Sequence, residues 1–289
     1  MKKFGIVLIL LLFTACGQKS YDKTSSVNDI KTPPFGGYVC GFRGDTTFLQ
    51  FPIFIPDGIS KNSIVKIILS GDKEFSCSRY NFSTFSRSKY EGYMFSILSF
   101  RVIFPEAGDF CVDKLNIFFE DEKSIELKLG KIFFDIRENE SPAEYLSVRS
   151  FLINDSKLSE LNISYVNNTD KPIIIENFSY PEDVCSNVKI EKFDKFGARF
   201  ELSPEEDGCS RPKERIAEKG LVVPPHSEKA FIATFDFDAG FANNEGRFFY
   251  FLPFVEYKID NEHIIMPAQI QATVIQPTFT EEVVKSFIE

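Results

Sequence analysis

Apolar and polar residues alternate along much of this chain with a period of two, as in Ser96-Ile97-Leu98-Ser99-Phe100-Arg101-Val102 and from Lys114 to Phe118. Successive side chains of a strand point to opposite faces, so this period predicts strands with one face in a core. From Phe35 to about Arg137 the segments YVCGF, TTFLQFPIFI, SIVKIILSG, YMFSILSFRVIF, DFCVDKLNIFFED and SIELKLGKIFFDI follow one another, separated by Gly, Asp, Asn and Pro. Short strands with turn signals at this spacing predict a β-sandwich over residues 35–138. NESPAE at 139–144 is the expected joint, with Ser141 and Pro142 suited to a sharp turn or to the start of a single helical turn.

The second half repeats this grammar without a fixed-period repeat. YLSVRSFLI, LNISYVNN, KPIIIENF, NVKIEKF and ARFELSP read as strands. Asn167 to Ile173 reads as a tight turn in which Pro172 opens the next strand. Residues 203–220 form a polar insertion, with a short helix expected over 212–219. Beyond it, LVVPPHSEKAFIATFDF sets two prolines before a strand, and GRFFYFLPFVEYKIDNEHIIMPAQIQATVI reads as a hairpin turned at Asp260-Asn261. A second sandwich is expected over 145–276, followed by a tail at 277–289.

LNISYVNNTDKPIIIENF, followed later by LVVPPHSEKAFIATFDF, resembles immunoglobulin-like or fibronectin type III-like domains of bacterial envelope proteins. FPEAGDFCV at 104–112 is similar to the corner before a late strand in such sandwiches, with Phe110 in the aromatic place but without the hydroxyl of a tyrosine corner. The same stretch also resembles the BatD family of envelope proteins, from which no role is carried over. The resemblance implies an all-β fold of two tandem immunoglobulin-like antiparallel β-sandwich domains.

The first residues break the alternation. Lys2 and Lys3 precede an apolar run from Ile6 to Phe13, which stops at Thr14-Ala15-Cys16. The run suits the core of an export signal and is shorter than the roughly 20 residues a spanning helix needs. Phe13-Thr14-Ala15-Cys16 resembles the lipobox of bacterial lipoproteins, with Phe where Leu is usual. That resemblance implies removal of residues 1–15, acylation of the Cys16 thiol, and anchorage of the chain on a bilayer of the cell envelope, facing the periplasm or the exterior. The alternative is an ordinary secretory signal. Residues 16–34 then form a polar tether, for which a coil would span roughly 20–25 Å root-mean-square.

Composition adds a few constraints. The chain has 289 residues, 43% of them hydrophobic, enough for a packed core in each of two domains. Phe occurs 33 times and Trp not at all. Without Lys2 and Lys3 the chain carries 31 basic against 42 acidic residues, a net charge of −11. No basic run offers the positive footprint that nucleic acid requires. Of the six cysteines, Cys185 and Cys209 are expected to close a loop in the second half, and Cys77 and Cys111 to pair in the first, leaving Cys40. The alternative is that all are free thiols.

Catalytic patterns are sparse. His226 and His263 stand far apart, each suited to a loop or strand surface, and there is no Gly-x-Ser-x-Gly elbow, Walker loop or zinc-type Cys spacing. Asp236 and Asp238 lie on one side of an extended segment before Gly240 and form a weak calcium candidate, although the EF-hand pattern fails at Gly240 and Arg247. No cofactor is expected. The expected function is a non-catalytic binding or scaffold module with an envelope protein as partner. The alternatives are a hydrolase or glycan-active enzyme using loop carboxylates such as Glu205, Glu206 and Asp207, and a structural spacer or assembly factor.

Overall fold

The computed structural model describes residues 26–33, 35–57, 59, 64–90, 92–138, 145–153, 160–180, 187–192, 214–215, 220–236, 248–268, 272–275 and 285. Within them the chain is all-β. The first half supplies β1 (Phe35–Phe42), β2 (Thr46–Pro56), β3 (Ile64–Gly71), β4 (Phe75–Tyr90), β5 (Tyr93–Ile103), β6 (Gly108–Phe119) and β7 (Ser124–Arg137). The second supplies β8 (Leu146–Ile153), β9 (Glu160–Asn167), β10 (Ile173–Ser179), β11 (Asn187–Lys192), β12 (Glu214–Arg215), β13 (Leu221–Val223), β14 (Glu228–Asp236), β15 (Phe248–Leu252), β16 (Phe254–Ile259), β17 (Glu262–Pro267) and β18 (Ala272–Ile275). A 3-10 turn covers Val27–Asp29.

These strands form three sheets. The largest has nine strands in the order β18-β15-β1-β7-β6-β3-β4-β5-β2, a second is β13-β10-β16-β17, and a third is β12-β11-β14-β9-β8. Strand pairing does not respect the expected boundary at 139–144, because β15 and β18 join the sheet built by β1–β7. The switch occurs at Pro253, which separates β15 in the large sheet from β16 in the four-stranded one. Proline has no N–H to continue a ladder, so the strand breaks there, while its carbonyl still accepts the Ala268 N–H at 2.8 Å. A further difference from the expected all-antiparallel pairing is β1, which runs parallel to both β7 and β15.

The large sheet rolls on itself. Tyr250 on β15 donates its hydroxyl to the Phe48 carbonyl on β2 at 2.8 Å, joining strands from opposite ends of the sheet order. Close approach along β1 depends on glycine. A Cβ at Gly37 would stand 2.5 Å from the Tyr250 carbonyl oxygen, and one at Gly41 would stand 2.2 Å from the Phe104 ring. Inside the roll, phenylalanine accounts for much of the filling: Phe51 stacks on Phe100 at 5.2 Å, and Phe134 stacks on Phe75 at 4.8 Å while meeting Phe104 edge-on at 5.9 Å.

A polar seam runs beside the Pro253 switch. Tyr38 donates its hydroxyl to Asp135 Oδ2 at 2.8 Å, Arg137 donates to the same carboxylate at 3.2 and 3.3 Å, and the Arg137 guanidinium lies 4.1 Å from the Phe254 ring centroid. Tyr165 on β9 donates to the Ala268 carbonyl at 2.9 Å in a fully buried position. Buried hydroxyls need partners, and these bonds tie strands distant in sequence to one another.

The cysteine expectations meet the structure in part. Cys40, Cys77 and Cys111 are free thiols, so the expected Cys77–Cys111 bridge is not formed. Cys77 lies opposite Ile67 on one side of β3, whereas Cys111 lies beyond the Gly71–Val112 pair on the other side. Four or more residues along the strand and two strand spacings separate them, roughly 17 Å, while a disulfide needs Cα atoms within about 7 Å. Cys16, Cys185, Cys209 and Asp238 lie outside the described residues, as do Glu205, Glu206 and Asp207. Where a helix is expected over 212–219, Glu214–Arg215 instead pairs with β11 as a strand.

The three described thiols differ in reactivity by burial. Burial, then the Asp135 charge, pushes the Cys40 thiol well above its ordinary value. Burial pushes Cys77 up to about 12, and burial with the Asp72 charge raises the half-exposed Cys111. The thiolate is the reactive form. Timed alkylation near pH 8, read by peptide mass, is therefore expected to label Cys111 first, Cys77 more slowly and Cys40 only on unfolding; Cys40 labelling as fast as Cys111 contradicts the packing around β1.

Candidate binding cleft

The turn after β9 is assembled around Asn167, which is fully buried. Its Nδ2 donates to the Lys171 carbonyl at 2.7 Å and to the Val223 carbonyl at 2.9 Å, while its Oδ1 accepts the Thr169 N–H at 2.9 Å and the Thr169 hydroxyl at 2.8 Å. The Asn167 N–H donates to Ser227 and the Asn168 N–H to Tyr145. An asparagine side chain imitates the backbone in this way, which is why Asn-rich reversals form tight turns. Pro172 follows and β10 starts at Ile173, as the sequence predicts.

This turn, the Asp260-Asn261 reversal between β16 and β17, and Tyr145 before β8 enclose an open cleft of about 880 Å³. Asp260 holds the positive φ of a tight hairpin turn, 54°. Lys171 Nζ meets Asp260 Oδ2 at 2.5 Å across the cleft, both side chains being more than half exposed. The bond to Asp260, and then its charge, holds the Lys171 ammonium above its ordinary value. Asp170 points to His226 Nε2 at 2.7 Å, on the neighbouring turn between β13 and β14. Exposed pairs of this kind add little to stability. Their consequence is local: they orient the rim and occupy its carboxylates. Asn168, Thr169, Asn261 and Glu262 supply further donors and acceptors, and Tyr145 supplies an aromatic surface.

Glu262 opens β17, which has β16 on one side and, among the described residues, stands at the end of its sheet order on the other. The rim of the cleft thus runs into a sheet edge. His263, on that strand, is mostly exposed and its Nδ1 lies 2.9 Å from Glu176 Oε2; Ile265 is partly buried. Glu176 also accepts from Lys258 Nζ at 2.9 Å, and this bond is the main reason its carboxyl sits below the ordinary range.

The histidines occupy the turn and strand-surface positions the sequence suggests. Asp236 ends β14, while Asp238 is outside the described residues; among the described residues no group of three His, Cys, Asp or Glu side chains is placed to hold a metal ion. Sequence reading marks both turns of the cleft but not their convergence, which depends on β9–β10 and β16–β17 belonging to packed sheets. No protein-family model and no curated protein matches the chain, so nothing about the site is carried over from a relative.

Proposed function

We propose that this protein is a lipid-anchored, non-catalytic binding module of the bacterial envelope that takes an extended segment of a protein partner along β17 and into the adjoining cleft. The observation that carries this reading is the continuity of the β17 edge with the cleft through Glu262. An open edge supplies a row of backbone donors and acceptors, and alternate side chains of an added strand read the neighbouring surface. Two further features support it. The Asn167 network holds the rim in one conformation before binding, which lowers the ordering cost of association. The Asp260 carboxylate is held by the Lys171 ammonium, which makes it a poor candidate for the acid of a hydrolase. The anchor rests on the lipobox resemblance at Cys16, and export is common to both readings of the N-terminus.

Capture from detergent-solubilised envelope, comparing the wild-type chain with Ile265→Lys and with Asn261→Ala, tests the site. The expected result is one reproducible partner that is lost with Ile265→Lys and weakened with Asn261→Ala, each measured well below its own unfolding midpoint because Ile265 packs in part on the core. Equal capture by all three chains rejects this surface.

A further inference from the structure

Residues 26–33 show where the N-terminal segment meets the fold. Lys31 bridges Phe54 on β2 in antiparallel fashion, with N–H···O bonds of 3.0 and 2.8 Å, and Thr32 donates its hydroxyl to the Pro52 carbonyl at 2.9 Å. Ile30, 3% exposed, is seated in the core. The segment is therefore docked, and antiparallel register carries Ser26 toward the Pro56 end of β2. That end also holds Tyr93, the register partner of Pro56, and Gly92, whose carbonyl accepts the Asp57 N–H at 2.8 Å. The opposite end of the same strands holds Thr46 paired with Ile103, beside the end of β1 where Phe42 packs on Phe254 at 5.7 Å. β16, which leads to the cleft, starts at that opposite end.

We infer that the sheet end formed by Pro56, Gly92 and Tyr93 faces the lipid headgroup surface, while the Ile103 end faces away from it. This rests on the lipid-anchor reading of Cys16. Nine residues lie between Cys16 and Ser26, ten steps of chain with a reach of at most about 35 Å. β5 takes eleven residues from Tyr93 to Ile103, ten steps and about 34 Å of strand. An anchored chain that enters the fold at the Tyr93 end would use its whole reach to bring the Ile103 end to the bilayer. Tyr93, Met94 and Phe95 are half-buried there, and tyrosine suits the water–lipid boundary, with an apolar ring and a polar tip. Asp29 and Asp57 share this end with Lys31 and with Lys89, the register partner of Met94, so it has no basic excess and the surface it fits is zwitterionic rather than strongly anionic.

The chain contains no tryptophan, so one inserted tryptophan is a unique donor. The acylated protein carrying Tyr93→Trp or Ile103→Trp, bound to phosphatidylcholine vesicles with a trace of dansyl-headgroup lipid, is excited where tyrosine does not absorb. Energy transfer several-fold greater from position 93 is expected; equal transfer, or more from position 103, overturns the orientation. Asn28→Trp repeats the measurement at an exposed position of the same end, should Tyr93→Trp disturb the fold. Flotation with the vesicles and the mass of the N-terminal peptide separate the two readings. A chain that floats with lipid mass but transfers equally from both ends loses only the orientation, whereas one that neither floats nor carries lipid loses the anchor and the orientation together.

Discussion

Replacing Phe134 by alanine is expected to destabilise the fold by about 3–5 kcal/mol, the range for a fully buried phenylalanine in a core that cannot collapse into the space. Phe134 is 1% exposed. Its ring lies against Phe75 of β4 and Phe104 after β5, and its backbone is paired with β1 and β6. Removing it opens a cavity between strands on opposite walls of the rolled sheet. Phe104 cannot follow easily, since it already fills the space that glycine leaves at position 41. In a chain of this size each kcal/mol corresponds to about 2–4 °C in midpoint, so a fall of roughly 10 °C is the thermal equivalent. Phe48→Ala is the control. That ring is 38% exposed and lies under Arg101 at 4.8 Å, and its loss is expected to cost at most about 1 kcal/mol. Urea denaturation of the chain without residues 1–16 measures both. Similar losses for the two variants would mean that the Phe75–Phe134–Phe104 cluster is not close-packed.

Asn167→Ala is the second large effect. The side chain makes four hydrogen bonds in a fully buried position. Its removal leaves the Val223 carbonyl and the Thr169 N–H without this partner, and an orphaned buried group costs about 1–3 kcal/mol. A total loss of about 3 kcal/mol is expected. Asn167→Asp keeps the acceptor but cannot donate to the two carbonyls, and is expected to be nearly as damaging. The turn's geometry also holds Asp170 and Lys171 at the cleft, so the alanine variant is expected to lose partner capture at temperatures where it remains folded. A fully stable Asn167→Ala chain would remove the argument for a preformed rim.

How much of this was legible in the chain depends on which interactions made each element. β5, β6, β7 and the first half of β2 are written in their own residues, because one face of each meets the core and the alternation records it, whereas β3 and the end of β2 are legible only as short apolar runs. β4 is not: its run FSCSRYNFSTFSRSKY carries many serines and two arginines, and local pattern gives little reason to expect 16 residues of strand. Its pairing with β5, from Cys77–Val102 to Tyr90–Tyr93, holds it extended instead. For the cleft, Asn167, Pro172 and the Asp260-Asn261 reversal are each local turn signals and are visible as such. Their meeting is not, because no short-range feature relates position 170 to position 260. The Cys77–Cys111 expectation fails for the same reason: two cysteines in one half of a chain say nothing about which side of β3 each will occupy.

Period-two hydrophobicity and turn chemistry were enough to establish an all-β chain and its main reversals, because strands and turns are set by a few neighbouring residues. Tertiary structure alone decided that β1 runs parallel to both of its neighbours, that Pro253 hands one strand from the large sheet to the next, and that strands of the second half complete the sheet of the first. Strand partnership is settled by which faces can be buried together across the whole molecule, and glycine at 37 and 41 permits the close approach on which that choice depends.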